Sequence, residues 1–538
     1  MGRWSSCRRR APKGCGLGFS RLAAAVRTQP WPLYSLLIAA YPVLFLYGQN
    51  VGELTLDELV APLVVILGLT AIVLLGTALV LGDVRRAALP VSAAALVFLV
   101  YGHGALLVRP FGLPPALYQG AWLGILAASV VVALFVNVDW LRALTRGLNV
   151  LAAVLVALAL ISIVPTEVAR LGKVTSVAAQ PTSTGRGATV SGDREIWYLV
   201  FDRYGSREAL QELTGWDDGP FLDALRQRGF VIADHSHANY LKTMLSLAAT
   251  LNLDYLDDLI AEEGVASNDM SPVHRRVADH AAGRYLQEQG YEHVHVGSWF
   301  GRTRTSAIAD QNLFSDEVSD FVTTLDEASA LPPLRRWLRL NHRATLHERI
   351  YETSRAQLEL LENLADDPAR RFVLGHVLLP HPPYVFAADG SFEDTDGDPI
   401  NNAAHNRQIS YLHERMIGLI DRLLARPEAQ RPIIILQGDE GPFPVAYAAD
   451  PDNYDWSTAS DADFRIKYGI LNAWYVPDDP PLELPATLSS VNTFRILFNH
   501  EFGADLPLLE DRSYVSVSRA RPFDMRDITD RLEPAGGD

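Results

Sequence analysis

Residues 196–202 read IWYLVFD, six apolar side chains without a break and then a carboxylate at Asp202. A strand with one wet face alternates apolar and polar residues. An unbroken apolar run instead predicts a strand buried on both faces, as in a parallel sheet covered by helices. Outward from it, short apolar runs recur at 230–233, 293–296, 372–377, 432–437 and 469–475, with helical spacing over 206–228, 272–289, 352–366 and 405–426. Strands alternating with helices predict, over 194–538, an α/β domain whose mainly parallel sheet is covered by helices on both faces.

In such a sheet ligands gather at the carboxyl ends of the strands. Asp202 follows the first run directly, and Asp439 and Glu440 follow 432–437 in Gly438-Asp439-Glu440-Gly441. His376 and His381 belong to HVLLPHPPY, residues 376–384. The segment NYLKTMLSL, 239–247, turns helical in period after Tyr240 and puts Thr243 in a first helical turn. Free backbone N–H groups and the helix dipole favour an anion there. A hydroxyl so placed, beside a divalent cation held by carboxylates, can lose its proton and attack phosphorus. Taken singly, each feature has a plain structural reading: Thr243 as a helix cap, HPPY as a rigid turn, Asp439-Glu440 as a solvated strand end, His376 as packing. His293 and His295 alternate on one run and read as a half-exposed strand face rather than a metal pair.

The N-terminal part of the chain is different in kind. Long apolar runs at 31–48, 59–82, 90–108, 116–138 and 147–165 would each span roughly 27 Å or more as helix, and predict five transmembrane helices over 31–165. Trp31, Tyr34, Tyr47, Tyr118 and Trp140 sit near run ends, where amphipathic rings favour the interface. The leader, 1–30, carries Arg3, Arg8, Arg9, Arg10, Lys13, Arg21 and Arg27 and no acid. Basic loops (Arg85, Arg86; Arg142, Arg146) alternate with poor ones, which places the N-terminus in the cytoplasm and the C-terminal domain outside. No charge lies deep inside a run, so a transport pathway has little support, and His103 reads as a packing or interface residue. The Met1-Gly2 start with Ser6 matches a lipidation pattern only by chance. Residues 166–193, small and polar toward their end, predict a flexible linker.

The net charge of −16, with a basic leader, makes the rest of the 538-residue chain acidic and argues against nucleic-acid binding. Both cysteines, Cys7 and Cys15, lie in the leader, so the outer domain has no disulfide, thiolate metal site or cysteine nucleophile.

The segments IWYLVFDRYG, ANYLKTMLSLAATLNLDYL, GHVLLPHPPYVF, LQGDEGP and VNTFRILFNHEFGADLPLL together resemble the membrane-anchored sulfatase-like proteins related to lipoteichoic acid synthase, in the alkaline phosphatase superfamily. The resemblance implies five membrane helices, a linker and an extracytoplasmic catalytic domain. By it, Asp202 and Asp439 match acidic metal ligands, and Thr243 matches the threonine that touches the metal and forms a phospho-enzyme. His381 resembles the histidine that holds the substrate phosphate or protonates the leaving group. Trp299 and Arg302, in SWFGR, match a stretch that contacts the phosphate. The family pattern Asp-His-Gly is here Asp439-Glu440-Gly441. The implied set Asp202, Thr243, Asp439 and Glu440 is then all oxygen and favours Mn²⁺ or Mg²⁺ over Zn²⁺. Arg203 adds a cation that either assists phosphate binding or takes the metal's place.

The resulting expectation is a metal-dependent phosphoryl (phosphoglycerol-type) transferase or phosphodiesterase, multi-pass in the cell membrane, acting on an envelope lipid or polymer through a phospho-threonine. The alternative is a catalytically impaired membrane scaffold or envelope-binding module. A true sulfatase fits poorly, because no cysteine lies outside the leader and KTMLSLA lacks the proline and arginine that formylglycine formation requires.

Overall fold

The computed structural model of the protein describes residues 30–108, 111–172, 194–314, 320–338, 346–395, 399–451, 453–478, 482–518 and 520–532. The basic leader with Cys7 and Cys15, and the linker from 173 to 193, lie outside the described residues. The chain divides into two compact units, one built on residues up to 168 with 324–338 added, the other on 169–323 and 339–538 with 52–54 added.

In the first unit four helices are long and apolar enough to cross a membrane: Leu56–Leu81, Val84–Ala105, Ala116–Phe135 and Val138–Arg170. The expected fifth, Tyr34–Gln49, is a helix of 16 residues. At about 1.5 Å per residue that is roughly 24 Å, short of a hydrocarbon core of about 30 Å. The helix expected over 147–165 runs from Val138 to Gly172 and absorbs Pro165 within it. Membrane-facing side chains such as Leu79, Val80 and Phe135 are more than four-fifths exposed, as lipid contact requires and water would not tolerate.

The second unit holds a seven-stranded sheet in the order β2-β7-β6-β1-β5-β3-β4. Its strands are β1 (Ile196–Phe201), β2 (Val231–Ile232), β3 (Glu292–Val296), β4 (Gln311–Leu313), β5 (Arg371–Val377), β6 (Ile433–Gly438) and β7 (Asn472–Tyr475). The middle, β6-β1-β5-β3-β4, is parallel, while β7 pairs antiparallel with β6 and β2 antiparallel with β7. Alternate residues of β1 enter two cores: Ile196, Tyr198 and Val200 one, Trp197, Leu199 and Phe201 the other. Burial on both faces is why this strand carries no polar residue.

Two of the expected helices are broken. Residues 206–228 form Arg207–Thr214 and Gly219–Gln227, separated at Gly215, whose φ of 69° suits glycine in the left-handed region. Residues 272–289 form Ser271–Ala278 and Ala281–Glu288, and the His280 ring accepts from Gly283 N to cap the second. A two-stranded ribbon, β8 (Tyr514–Ser518) with β9 (Arg521–Asp527), completes the unit.

Register positions the site. Phe201 pairs with Val377 on one side and Gly438 on the other, so β1, β5 and β6 end level. The next residues, Asp202 and Asp439, therefore emerge side by side, and His376 sits opposite Val200 one step back.

Candidate metal centre

Asp202 leaves the sheet with its N–H still bonded to the Val377 carbonyl, 3.0 Å away. Its side chain is buried, and Oδ1 has no hydrogen-bond partner among the described residues. Asp439 is oriented at one oxygen only. Oδ1 accepts from Arg203 N at 2.9 Å and Glu440 N at 2.8 Å, while buried Oδ2 is left unpartnered. His376 repeats the pattern. Its Nδ1 lies 2.9 Å from Thr303 Oγ1, which is 2.8 Å from Ser298 Oγ. With the proton on Nδ1 donated to Thr303, the Nε2 lone pair, buried and unpartnered, faces Asp202 Oδ2 at 3.8 Å.

One ligand atom from each of Asp202, His376 and Asp439 lies within 4.8 Å of the others. Burial, then the neighbouring Asp439 carboxylate, push the Asp202 acid well above its usual range. Burial pulls His376 down to about 4, so its imidazole is neutral at pH 7. Two buried carboxylates beside a neutral imidazole, with one ligand atom of each within 4.8 Å of the others, fit a divalent cation, which would offset the repulsion between the acids.

Glu440 belongs to a different group. Its Oε1 takes Lys467 Nζ at 2.8 Å and Arg203 Nε at 3.2 Å, and Lys467 also donates to the Gly441 carbonyl at 3.1 Å. The Arg203 guanidinium lies 3.3 Å from the centroid of the Phe443 ring. Arg203 itself has φ 61°, a left-handed backbone uncommon for any residue but glycine, and its N–H is what orients Asp439. The chain is pinched here: a Cβ on Gly441 would run into the Ile466 carbonyl, so this position needs glycine.

Thr243 is the first residue of the helix Thr243–Leu251 and is half-buried. Among the described residues no side chain caps this helix, so its first-turn N–H groups are open to an anion. One turn on, Ser246 Oγ donates to the Asp439 carbonyl at 2.7 Å, which seats the helix start against the Asp439 segment. His381 has Nδ1 against the Pro382 carbonyl, and burial followed by the Arg203 charge drives its pKa well down. The Trp299 ring meets the His381 ring edge to face at 6.0 Å. Arg302, in the turn Gly301–Thr303, precedes Thr303 directly, and its charge acts on His274.

The structure thus brings Asp202 and Asp439 together, sets Arg203 against both, seats the Thr243 helix beside Asp439, and places Trp299 against His381. Glu440 is instead ion-paired, and His376 stands in the trio. Thr303 and Lys467 were not singled out by the sequence. His376 left a faint signal, as the one uncharged polar side chain in the strand RFVLGHV.

No family model matches the chain, and no curated protein matches it. Among solved structures the chain is similar to the C-terminal periplasmic domain of EcEptC from Escherichia coli in complex with Zn, at 12% identity over 63% of this chain and 94% of that one, with a TM-score of 0.39. It is similar to the integral membrane protein lipooligosaccharide phosphoethanolamine transferase A (EptA) from Neisseria meningitidis, at 16% identity, 85% and 88% coverage and a TM-score of 0.31. It is also similar to BT1596, a 2-O GAG sulfatase, at 13% identity, 58% and 71% coverage and a TM-score of 0.37. Two of these neighbours are named as enzymes, a phosphoethanolamine transferase and a sulfatase. At this identity and these TM-scores they assign no residue role, and the roles below follow from the geometry.

Proposed function

We propose that the chain is a membrane-anchored, metal-dependent phosphoryl transferase or phosphodiesterase with its sheet unit outside the cell. The observation that carries this is the convergence of buried ligand atoms of Asp202, His376 and Asp439 within 4.8 Å of one another, beside the Thr243 helix. Those residues would hold one divalent cation. An imidazole with two carboxylates suits Zn²⁺ or Mn²⁺, whereas the expectation of Mn²⁺ or Mg²⁺ rested on Glu440 as an oxygen ligand.

When bound, the cation supplies charge neutralisation at the phosphoryl oxygens and lowers the proton affinity of a nearby hydroxyl. Thr243 Oγ1 attacks phosphorus as its proton leaves. The bond to the departing alcohol breaks in line, and that alcohol takes up a proton. Water or an acceptor alcohol then displaces Thr243 in a second in-line step. The first-turn N–H groups and Arg203 bind phosphoryl oxygens, because both are donors with positive character. His381, neutral and with Nδ1 turned to Pro382, acts at Nε2 as a proton acceptor beside Trp299. The four membrane-length helices would tether the chain to a bilayer, which favours a lipid head group or an envelope polymer as substrate, with the N-terminus in the cytoplasm.

Arg203 and Lys467 favour the alternative of a metal-free scaffold only if they satisfy the carboxylates by themselves. Both are engaged with Glu440; Arg203 Nε reaches Asp202 Oδ1 only as an ion pair at 3.8 Å, and neither Asp202 Oδ1 nor Asp439 Oδ2 takes a hydrogen bond among the described residues.

Hydrolysis of bis(4-nitrophenyl) phosphate by the full chain in detergent tests the reading. Thr243→Ala should lower turnover by about 10³-fold or more with unchanged melting temperature, and a trapped phosphopeptide should contain Thr243. Full activity in Thr243→Ala would remove this mechanism.

A further inference from the structure

We propose that Lys467 is a positioning residue: through Glu440 it fixes the Arg203 guanidinium as the anion-binding fork beside the metal centre. The assignment rests on the function proposed above and deepens it by naming what orients the phosphoryl oxygens.

Lys467 lies near the end of the helix Asp461–Tyr468 and is 1% exposed, a placement that a lysine takes only when its charge is matched. Its partner is Glu440 Oε1, the same atom that receives Arg203 Nε. Arg203 thereby spends one N–H on Glu440 and lays its plane on Phe443. Its terminal nitrogens make no hydrogen bond among the described residues. Arg203 lines a cleft walled by Pro380, Pro382, Tyr384, Pro442 and Phe443, in whose lining no carboxylate appears. A guanidinium held at its Nε edge, set 3.3 Å from a ring centroid and with terminal nitrogens free of protein acceptors among the described residues, is arranged to grip two oxygens of a phosphate.

Charge supports the same assignment. Asp202, Asp439 and Glu440 face Arg203, Lys467 and, when bound, a divalent cation. The set then carries one positive charge in excess, which matches a phosphodiester monoanion. Without Lys467, Glu440 is free to draw the guanidinium inward or to reach for the metal, and in either case the fork is lost.

A thermodynamic cycle tests this with inorganic phosphate as the probe, binding to metal-loaded full-length protein in detergent being followed by calorimetry. Lys467→Met combined with Glu440→Gln removes one charge of each sign and leaves the net charge unchanged. A pair that only neutralises itself then leaves phosphate affinity as it was. The positioning role predicts about 10-fold weaker phosphate binding with metal content intact, and little further loss when Arg203→Met is added to that background. In the wild-type background, Arg203→Met alone should weaken phosphate binding by about 10-fold or more. Should the double variant melt before loading, Glu440→Asp, which keeps every charge and shortens the tether, should show the same weakening. Wild-type affinity in a folded, metal-loaded double variant, or full additivity with Arg203→Met, overturns the positioning role alone. A wild-type chain that binds no divalent metal overturns the proposed function as well.

Discussion

Replacing Thr303 by valine keeps the side-chain volume and removes one hydroxyl. That hydroxyl stands 2.9 Å from His376 Nδ1 and 2.8 Å from Ser298 Oγ, all within buried surroundings, so no water takes its place without rearrangement. The His376 ring then loses the bond that fixes its tautomer and aims Nε2 at Asp202 and Asp439. Partners of this kind behind a metal-bound histidine typically govern about 10–100-fold in metal affinity, or about 1.4–2.7 kcal/mol. Folding should suffer less, about 1 kcal/mol for the net loss of a buried hydrogen bond. The carbonyl of Thr303, which holds His295 Nε2 at 2.9 Å, is untouched, so the turn itself persists. Competition with a chelator of known affinity, run on wild type and Thr303→Val at equal protein concentration, reads the metal affinity, and thermal melting of the metal-free proteins reads the fold. Equal metal affinity in a folded Thr303→Val protein would show that His376 is not held in place for a cation.

Gly441→Ala should destabilise the second unit by about 1–3 kcal/mol and cut phosphodiester hydrolysis, because the new methyl meets the Ile466 carbonyl and displaces the Asp439–Glu440 segment; a wild-type melting temperature would contradict this. Stability should fall on acidification. Burial holds His293 and His413 at about 3 and His295 at about 4, below an unfolded value of about 6.5. A depressed histidine contributes stability above pH 6.5 and loses it as the pH drops, about 1.4 kcal/mol each by pH 5.5. Asp218, raised by burial to about 6, works in the other direction over the same range and offsets about 1 kcal/mol. Urea unfolding at pH 7.5 and 5.5 should therefore differ by about 3 kcal/mol, and a flat profile would refute the burial of these rings as neutral groups. Trp299→Ala should raise the KM for bis(4-nitrophenyl) phosphate more than it lowers kcat, since its ring supports His381 from the side; an unchanged KM would place Trp299 outside the site.

The parallel core was legible because burial on both faces leaves a plain signature: 196–201 has no polar residue to mistake for a wet face. Asp202 and Asp439 were legible for a related reason, since level strand ends bring the next residue of each strand to one edge. Glu440 enters the expected set of four oxygen ligands because it stands where the family pattern Asp-His-Gly has its histidine. Successive residues leaving a strand point to opposite sides, however, and Glu440 meets Lys467 and Arg203 instead. His376 resisted reading because a histidine inside an apolar strand fits packing equally well. What makes it a ligand candidate is Thr303, 73 residues away on the loop after β3. Lys467 gave no signal at all, because a lysine in a helix normally lies in water and only the fold reveals it as buried. The antiparallel edge, β7 and β2, was hidden because an apolar run such as 469–475 reads alike in either direction. In the first unit, apolar content predicted five crossings, and length limits the first to 16 residues.

Elemental analysis of the purified full chain and two variants goes most directly to the centre of this account. One divalent cation per chain is expected in wild type and in Glu440→Gln, and its loss in His376→Ala. A cation retained by His376→Ala and lost from Glu440→Gln, or no cation in wild type under any loading condition, would contradict the account.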